Sequence, residues 1–144
     1  MKYINKKAKF DYQISERMEV GIVLTGPEAK SAKVGQIDLS HGYVKFRPSK
    51  FGSLEAWLIG AHIYPYKHAD NTNYDPIRTR KLLLHQKEIL ILQSQMKQAR
   101  LLLVPTAMYT KSGIVKIELG LARGKKKYEK REAIKKRDLD RDIL

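Results

Sequence analysis

Glycines and cations crowd the segment Gly120-Leu121-Ala122-Arg123-Gly124-Lys125-Lys126-Lys127. Glycine lets a backbone approach phosphate closely, and Arg and Lys side chains neutralise it. The same residues read equally as a solvated basic linker. A second run, Asp75-Pro76-Ile77-Arg78-Thr79-Arg80-Lys81-Leu82-Leu83-Leu84-His85, sets three cations between a turn and an apolar stretch. Arginine's planar fork suits bidentate phosphate binding, so Arg78, Arg80 and Lys81 are candidate phosphate contacts, while most of the leucines read as core. Glu19 precedes an apolar run, where a carboxylate is either a surface charge or an acceptor for a base or a ribose hydroxyl. Tyr109, Tyr128, Tyr43 and Trp57 can stack on bases, and of these Trp57 and Tyr43 are expected to pack in strands. Tyr128 lies among charges and is the candidate base-stacking group.

Catalysis is not written in the spacing. His41, His62, His68 and His85 have no nucleophile and orienting partner at a workable distance in sequence, and H-E-x-x-H, Walker and G-x-S-x-G patterns are absent. The histidines read as structural or RNA-contact groups, with no enzyme, metal or cofactor expected. Charge points elsewhere: 29 Lys and Arg against 15 Asp and Glu leave a net charge of +14. A polyanionic partner accounts for such an excess, most commonly nucleic acid, with an anionic membrane surface as the alternative. With no cysteine there is no disulfide or thiol chemistry. No apolar run approaches the ~20 residues of a membrane span. The basic start lacks a secretory h-region, so the cytoplasm is expected.

These residues need a body to position them. A hydrophobic fraction of 42% over 144 residues supports one folded domain. Alternation and β-branched runs predict strands over 10–14, 20–26, 39–46, 56–63, 101–108 and 114–121, the last two forming a hairpin around Lys111-Ser112-Gly113. Helices are predicted over 27–35, from its proline and glycine punctuation, and over 81–100. Residues 64–79 read as a long functional loop and 1–9 as mobile. Six short strands with helices suit a small closed barrel. From 123 to 144 there are ten basic and five acidic residues and few apolar ones, so this tail builds no core. Glu132 and Lys136 favour a helix there, whereas the like pairs Lys127/Arg131 and Asp138/Asp142 oppose it.

In order along the chain stand Asn5-Lys6-Lys7-Ala8, Phe10-Asp11-Tyr12, Glu19-Val20-Gly21-Ile22-Val23-Leu24-Thr25-Gly26-Pro27-Glu28-Ala29-Lys30-Ser31, Ala61-His62-Ile63-Tyr64-Pro65-Tyr66, the run 75–85 and the run 120–126. Together they resemble the SmpB family, the small protein partners of bacterial tmRNA, from Asn5 to about Arg137. The resemblance implies a mainly β fold: a six-stranded antiparallel barrel of oligonucleotide-binding type over residues 1–124, with peripheral helices. It implies a basic tail over 125–144, disordered when free and helical on the ribosome. It implies binding to the tRNA-like domain of tmRNA and a role in trans-translation, which rescues stalled ribosomes so that incomplete proteins are tagged for degradation. Family tmRNA contacts match Glu19, Leu83 and Lys116, with Arg78, Arg80, Lys81, His85, Arg123, Gly124, Lys125 and Lys126 as supporting RNA contacts. The tail would sense the empty mRNA channel near the decoding centre, through small-subunit rRNA, using Tyr128, Glu129, Lys130, Arg131, Lys135, Lys136 and Arg137. Glu129 replaces the family's usual aspartate, Gln36 its usual lysine, and the tail's end is unusually acidic. Elongation factor Tu and alanyl-tRNA synthetase are implied partners through tmRNA, and a bacterial monomer is expected. The alternative is a ribosomal or general structured-RNA-binding barrel without tmRNA specificity.

Overall fold

A computed structural model describes residues 2–124. Its centre is an antiparallel sheet of seven strands in the order β1 (Lys2–Ile4), β8 (Leu102–Lys111), β9 (Ile114–Gly124), β2 (Tyr12–Ile22), β7 (Arg80–Leu83), β5 (Leu54–Ile59), β4 (Tyr43–Pro48). A separate ribbon pairs β3 (Ile37–Asp38) with β6 (His62–Ile63). Three helices accompany the sheets: α1 (Lys6–Asp11), α2 (Gly26–Lys33) and α3 (Gln86–Ala99). The fold is mainly β with peripheral helices. The described residues form nine strands, seven of them in the main sheet, where six were expected, and the ladder does not close among the described residues: β4 and β8 approach each other without pairing.

Period-two patterning decides which face is inside. Along β9, Val115, Ile117, Leu119 and Leu121 are buried while Lys116 and Glu118 face outward. Val20 and Ile22 of β2, Leu82 of β7 and Leu58 of β5 join the same core, capped by Ile89 and Leu92 from α3. Each such side chain stabilises the fold by roughly 1.5–3 kcal/mol through its burial. β8 is buried over residues 103–108 because α1 covers its other face, where Ala8, Val104 and Ala122 form a second cluster.

Several expectations are corrected. Residues 2–11 are structured: β1 pairs with β8, and the buried Asn5 side chain caps α1, accepting from the Ala8 N–H at 3.2 Å and donating to the Leu39 and Pro105 carbonyls at 3.0 and 2.8 Å. Phe10 and Asp11 accordingly end a helix, and the strand begins at Tyr12. Of the run 39–46 only residues 43–46 are strand, preceded by a turn at 40–41, and the run 56–63 breaks in two. At Gly60, with φ of +79°, a Cβ would lie 2.4 Å from the His41 carbonyl, so only glycine fits this corner. The run 81–100 is not one helix. Arg80 to Leu83 form a strand between β2 and β5, and α3 starts after His85, whose N–H donates to Glu88 at 3.1 Å. Long-range pairing on both sides overrides the local helical pattern.

Candidate nucleic-acid interface

Gly21 organises the outer face of the sheet. In the ladder it lies opposite Leu83 of β7 on one side and Lys116 of β9 on the other. Leu83 folds its side chain over the space that a Cβ at Gly21 would fill, its Cδ1 only 2.9 Å away, yet stays 57% exposed. Two residues earlier on the same face stands Glu19. The sheet therefore gathers Glu19, Leu83 and Lys116, residues drawn from three distant parts of the chain.

Glu19 lies directly opposite Glu118, and facing carboxylates repel each other. Each has its own partners. Glu19 accepts from the Tyr109 hydroxyl at 2.6 Å and from Lys111 at 3.4 Å. Glu118 accepts from Thr106 at 2.8 Å and has Arg17 at 3.9 Å. The Tyr109 hydrogen bond, with the charges of Lys111 and Lys116, holds the Glu19 carboxyl below its usual range. Tyr109, raised by burial and by donating to Glu19, is pushed up to about 12, so the phenol stays a donor at neutral pH. Tyr109 is also paired opposite Lys116, and Lys2 sits 5.6 Å over its ring.

This patch combines an ionised acceptor, an exposed aliphatic group and cations. A carboxylate can accept from a base amino group or a 2′-hydroxyl, Leu83 can lie against a sugar or base, and the lysines can hold phosphates. Among the described residues, no three His, Cys, Asp or Glu side chains gather into a metal-binding group.

Other sequence candidates lie elsewhere. Arg80 is fully buried, and its guanidinium reaches Glu28 at 2.6–2.8 Å, the Ala61 carbonyl at 3.0 Å and the Pro76 carbonyl at 3.0 Å. Arg78 donates to both oxygens of the same carboxylate, at 2.5 and 3.3 Å. Arg80 is thus corrected from phosphate contact to structural clamp, and Arg78 is largely committed to it. Burial pushes the Glu28 carboxyl up, but the Arg78, Thr25 backbone and Arg80 hydrogen bonds prevail and bring it down to about 2. Residues 64–79 are fastened to this clamp through Tyr74, whose hydroxyl accepts from Arg80 at 3.3 Å and donates to the Ile63 carbonyl at 2.8 Å. Lys81 shares the outer face with Leu83, 3.7 Å from Glu55, and His85 is exposed just beyond β7.

Arg123 and Gly124 lie at the far end of β9, about 24 Å from Lys116 along the strand, where the Arg123 guanidinium donates to Gln13. The structure does not bring them to Gly21. Lys125, Lys126, Tyr128, Glu129, Lys130, Arg131, Lys135, Lys136 and Arg137 lie outside the described residues. Tyr43 and Trp57, expected to pack in strands, both lie on the outer face: Trp57 is half-buried there, whereas Tyr43 is 48% exposed.

The model of the SmpB protein family matches residues 3–144. The chain belongs to the SmpB family. The SsrA-binding protein of Streptococcus pyogenes serotype M3 (strain ATCC BAA-595 / MGAS315) is 47% identical over 139 residues, 96% of this chain and 86% of that protein. The SsrA-binding protein of Streptococcus thermophilus (strain ATCC BAA-491 / LMD-9) is 48% identical over the same length, covering 96% and 87%. A solved chain from a structure described as "tmRNA-SmpB: a journey to the center of the bacterial ribosome" superposes with a TM-score of 0.69 at 38% identity, covering 92% of this chain and 94% of that one. Within this SmpB fold, Arg17, Lys2 and Lys111 join the patch although nothing in the sequence singled them out. The hairpin signal could have found Lys111: a two-residue turn at Ser112-Gly113, with φ of 51° and 78°, fixes Lys111 opposite Ile114 and hence Tyr109 opposite Lys116.

Proposed function

We propose that this chain binds the tRNA-like domain of tmRNA through the outer face around Gly21, and acts in trans-translation on the ribosome so that incomplete proteins are tagged for degradation. The observation that carries this reading is the convergence of Glu19, Leu83 and Lys116 on one glycine. Family membership and SsrA-binding relatives support it. The role is that of a binding adaptor without a catalytic step or cofactor. Lys81 and His85 extend the contact past β7, and Arg123 with residues 124–126 forms a second basic contact.

Residues 125–144 act in the empty mRNA channel near the decoding centre, beside small-subunit rRNA. Tyr128 stacks there, and Glu129, Lys130, Arg131, Lys135, Lys136 and Arg137 hold the tail in place. The protein works as a cytoplasmic monomer and meets elongation factor Tu and alanyl-tRNA synthetase only through tmRNA. No helix among the described residues is long and apolar enough to cross a membrane.

The test is a reconstituted tagging assay on a message without a stop codon. Tagging should require this protein and be lost on deleting residues 125–144 while tmRNA affinity persists. Equal competition by bulk tRNA and by unlabelled tmRNA would favour a general RNA-binding protein instead.

A further inference from the structure

The outer face around Gly21 does not end at β7. Lys81 lies opposite Trp57 of β5, and Trp57 lies opposite Lys45 of β4. Glu55 is paired with Arg47, and Ile59 with Tyr43. Directly opposed residues share a face, and neighbours along a strand alternate. Lys81, Trp57, Lys45, Arg47 and Tyr43 therefore continue the face that presents Leu83, while their neighbours Leu82, Ala56, Leu58 and Val44 are buried behind them. Three strand spacings, about 14 Å, carry this surface from Gly21 to β4.

Charge on the extension is one-sided. The face carries Lys81, Lys45 and Arg47, with Lys50 at the hairpin tip, against one carboxylate, Glu55, which lies 3.7 Å from Lys81. Among the described residues, Lys45, Arg47 and Lys50 form no ion pair.

The β4–β5 tip adds a ring. The Ser49 N–H donates to the Ser53 carbonyl at 2.6 Å, the two hydroxyls lie 2.8 Å apart, and the Phe51 N–H donates to Ser49 Oγ at 3.2 Å. This hydrogen-bonded turn holds Phe51 95% exposed, directly after Lys50. An aromatic side chain in water gains nothing from the fold, whereas a flat ring beside cations is the chemistry of a base-stacking platform.

We infer that the face from Lys81 through Trp57 and Lys45 to the Phe51 tip continues the RNA interface. Its cations take the backbone of the same RNA that is held at Gly21, and Phe51 stacks on an unpaired base. This rests on the tmRNA reading above and deepens it.

Trp57 is the chain's single tryptophan and sits in the middle of the extension, so the full-length protein carries its own reporter. The tRNA-like domain of tmRNA, end-labelled, is titrated with protein while RNA anisotropy, Trp57 emission and acrylamide quenching are followed in parallel. Emission should change at the same protein concentrations as anisotropy, and quencher access should fall at least about twofold. Phe51→Ala and the double variant Lys45→Ala/Arg47→Ala should each weaken binding about fivefold or more. Phe51 packs against nothing, so its variant keeps the fold, which the unfolding midpoint verifies. RNA binding with unchanged Trp57 emission and full affinity in Phe51→Ala would overturn the extension and leave the Gly21 reading standing. No RNA binding at all would overturn both. Protection of Trp57 only when ribosomes are added would overturn the assignment of this face to tmRNA.

Discussion

Two carboxylates in this molecule are each held by a pair of donors from distant chain, and they do opposite things. Glu28, with its side chain fully buried, is clasped by Arg78 and Arg80 and ties α2 to β7 and to the loop before it. Glu19 is exposed at the sheet surface and is held by Tyr109 and Lys111. Water separates their roles. Around Glu28 no solvent can replace a lost partner, so the ion pairs have become part of the fold. Around Glu19 solvent screens each contact, so the arrangement contributes little to stability and remains available to a ligand. Charge type and spacing in sequence do not distinguish the two sites; burial does.

The sharpest way to break this contrast is to remove Glu28. Glu28→Ala leaves two guanidinium groups in and at the edge of the core, and should lower the unfolding free energy by about 3–5 kcal/mol in urea denaturation. A loss below about 1 kcal/mol would mean that the clamp is not holding the fold. Acid gives a related but smaller effect. The folded-state pKa of Glu28, about 2, lies below its ordinary value, so its stabilisation is complete above about pH 5 and is lost as pH falls towards 2. That loss is on the order of 3 kcal/mol, and the Glu28→Gln variant should lack this part of the acid sensitivity.

Changes at the exposed site should show the reverse balance. Leu83→Ala should cost about 1–2 kcal/mol of tmRNA binding in a filter or anisotropy assay. Its unfolding free energy should move by no more than about 0.5 kcal/mol. Lys116→Ala should give the smallest effect: a modest drop in affinity, with the slope of log affinity against log salt shallower by about one. An unchanged salt slope would remove Lys116 from the phosphate contacts.

What the sequence made legible follows the same division between local and distant causes. Pro27 and Gly35 announce α2, and Ser112-Gly113 announces the β8–β9 hairpin, because both signals lie within a few residues. Leu83 read by its neighbours alone is one leucine among three, which a helix would bury. Only its place opposite Gly21 exposes it, and only the family resemblance marked it beforehand. Arg80 failed as a phosphate contact for the same reason: its partner lies 52 residues away on α2, out of reach of any local pattern. Asn5 carries a local signal, since asparagine is a favoured helix N-cap, but its burial depends on Leu39 and Pro105, 34 and 100 residues away.

Strand β9 has a mechanical consequence. It is hydrogen-bonded along nearly its whole length to β8 on one side and to β2 on the other, and it ends at Gly124, where the basic tail begins. A pull on the chain beyond Gly124, directed along the strand, would load both ladders in shear, many hydrogen bonds sharing the force at once rather than parting one by one. The body can therefore serve as a rigid tow point: displacement of the tail would drag the sheet, and the face it presents, as one piece.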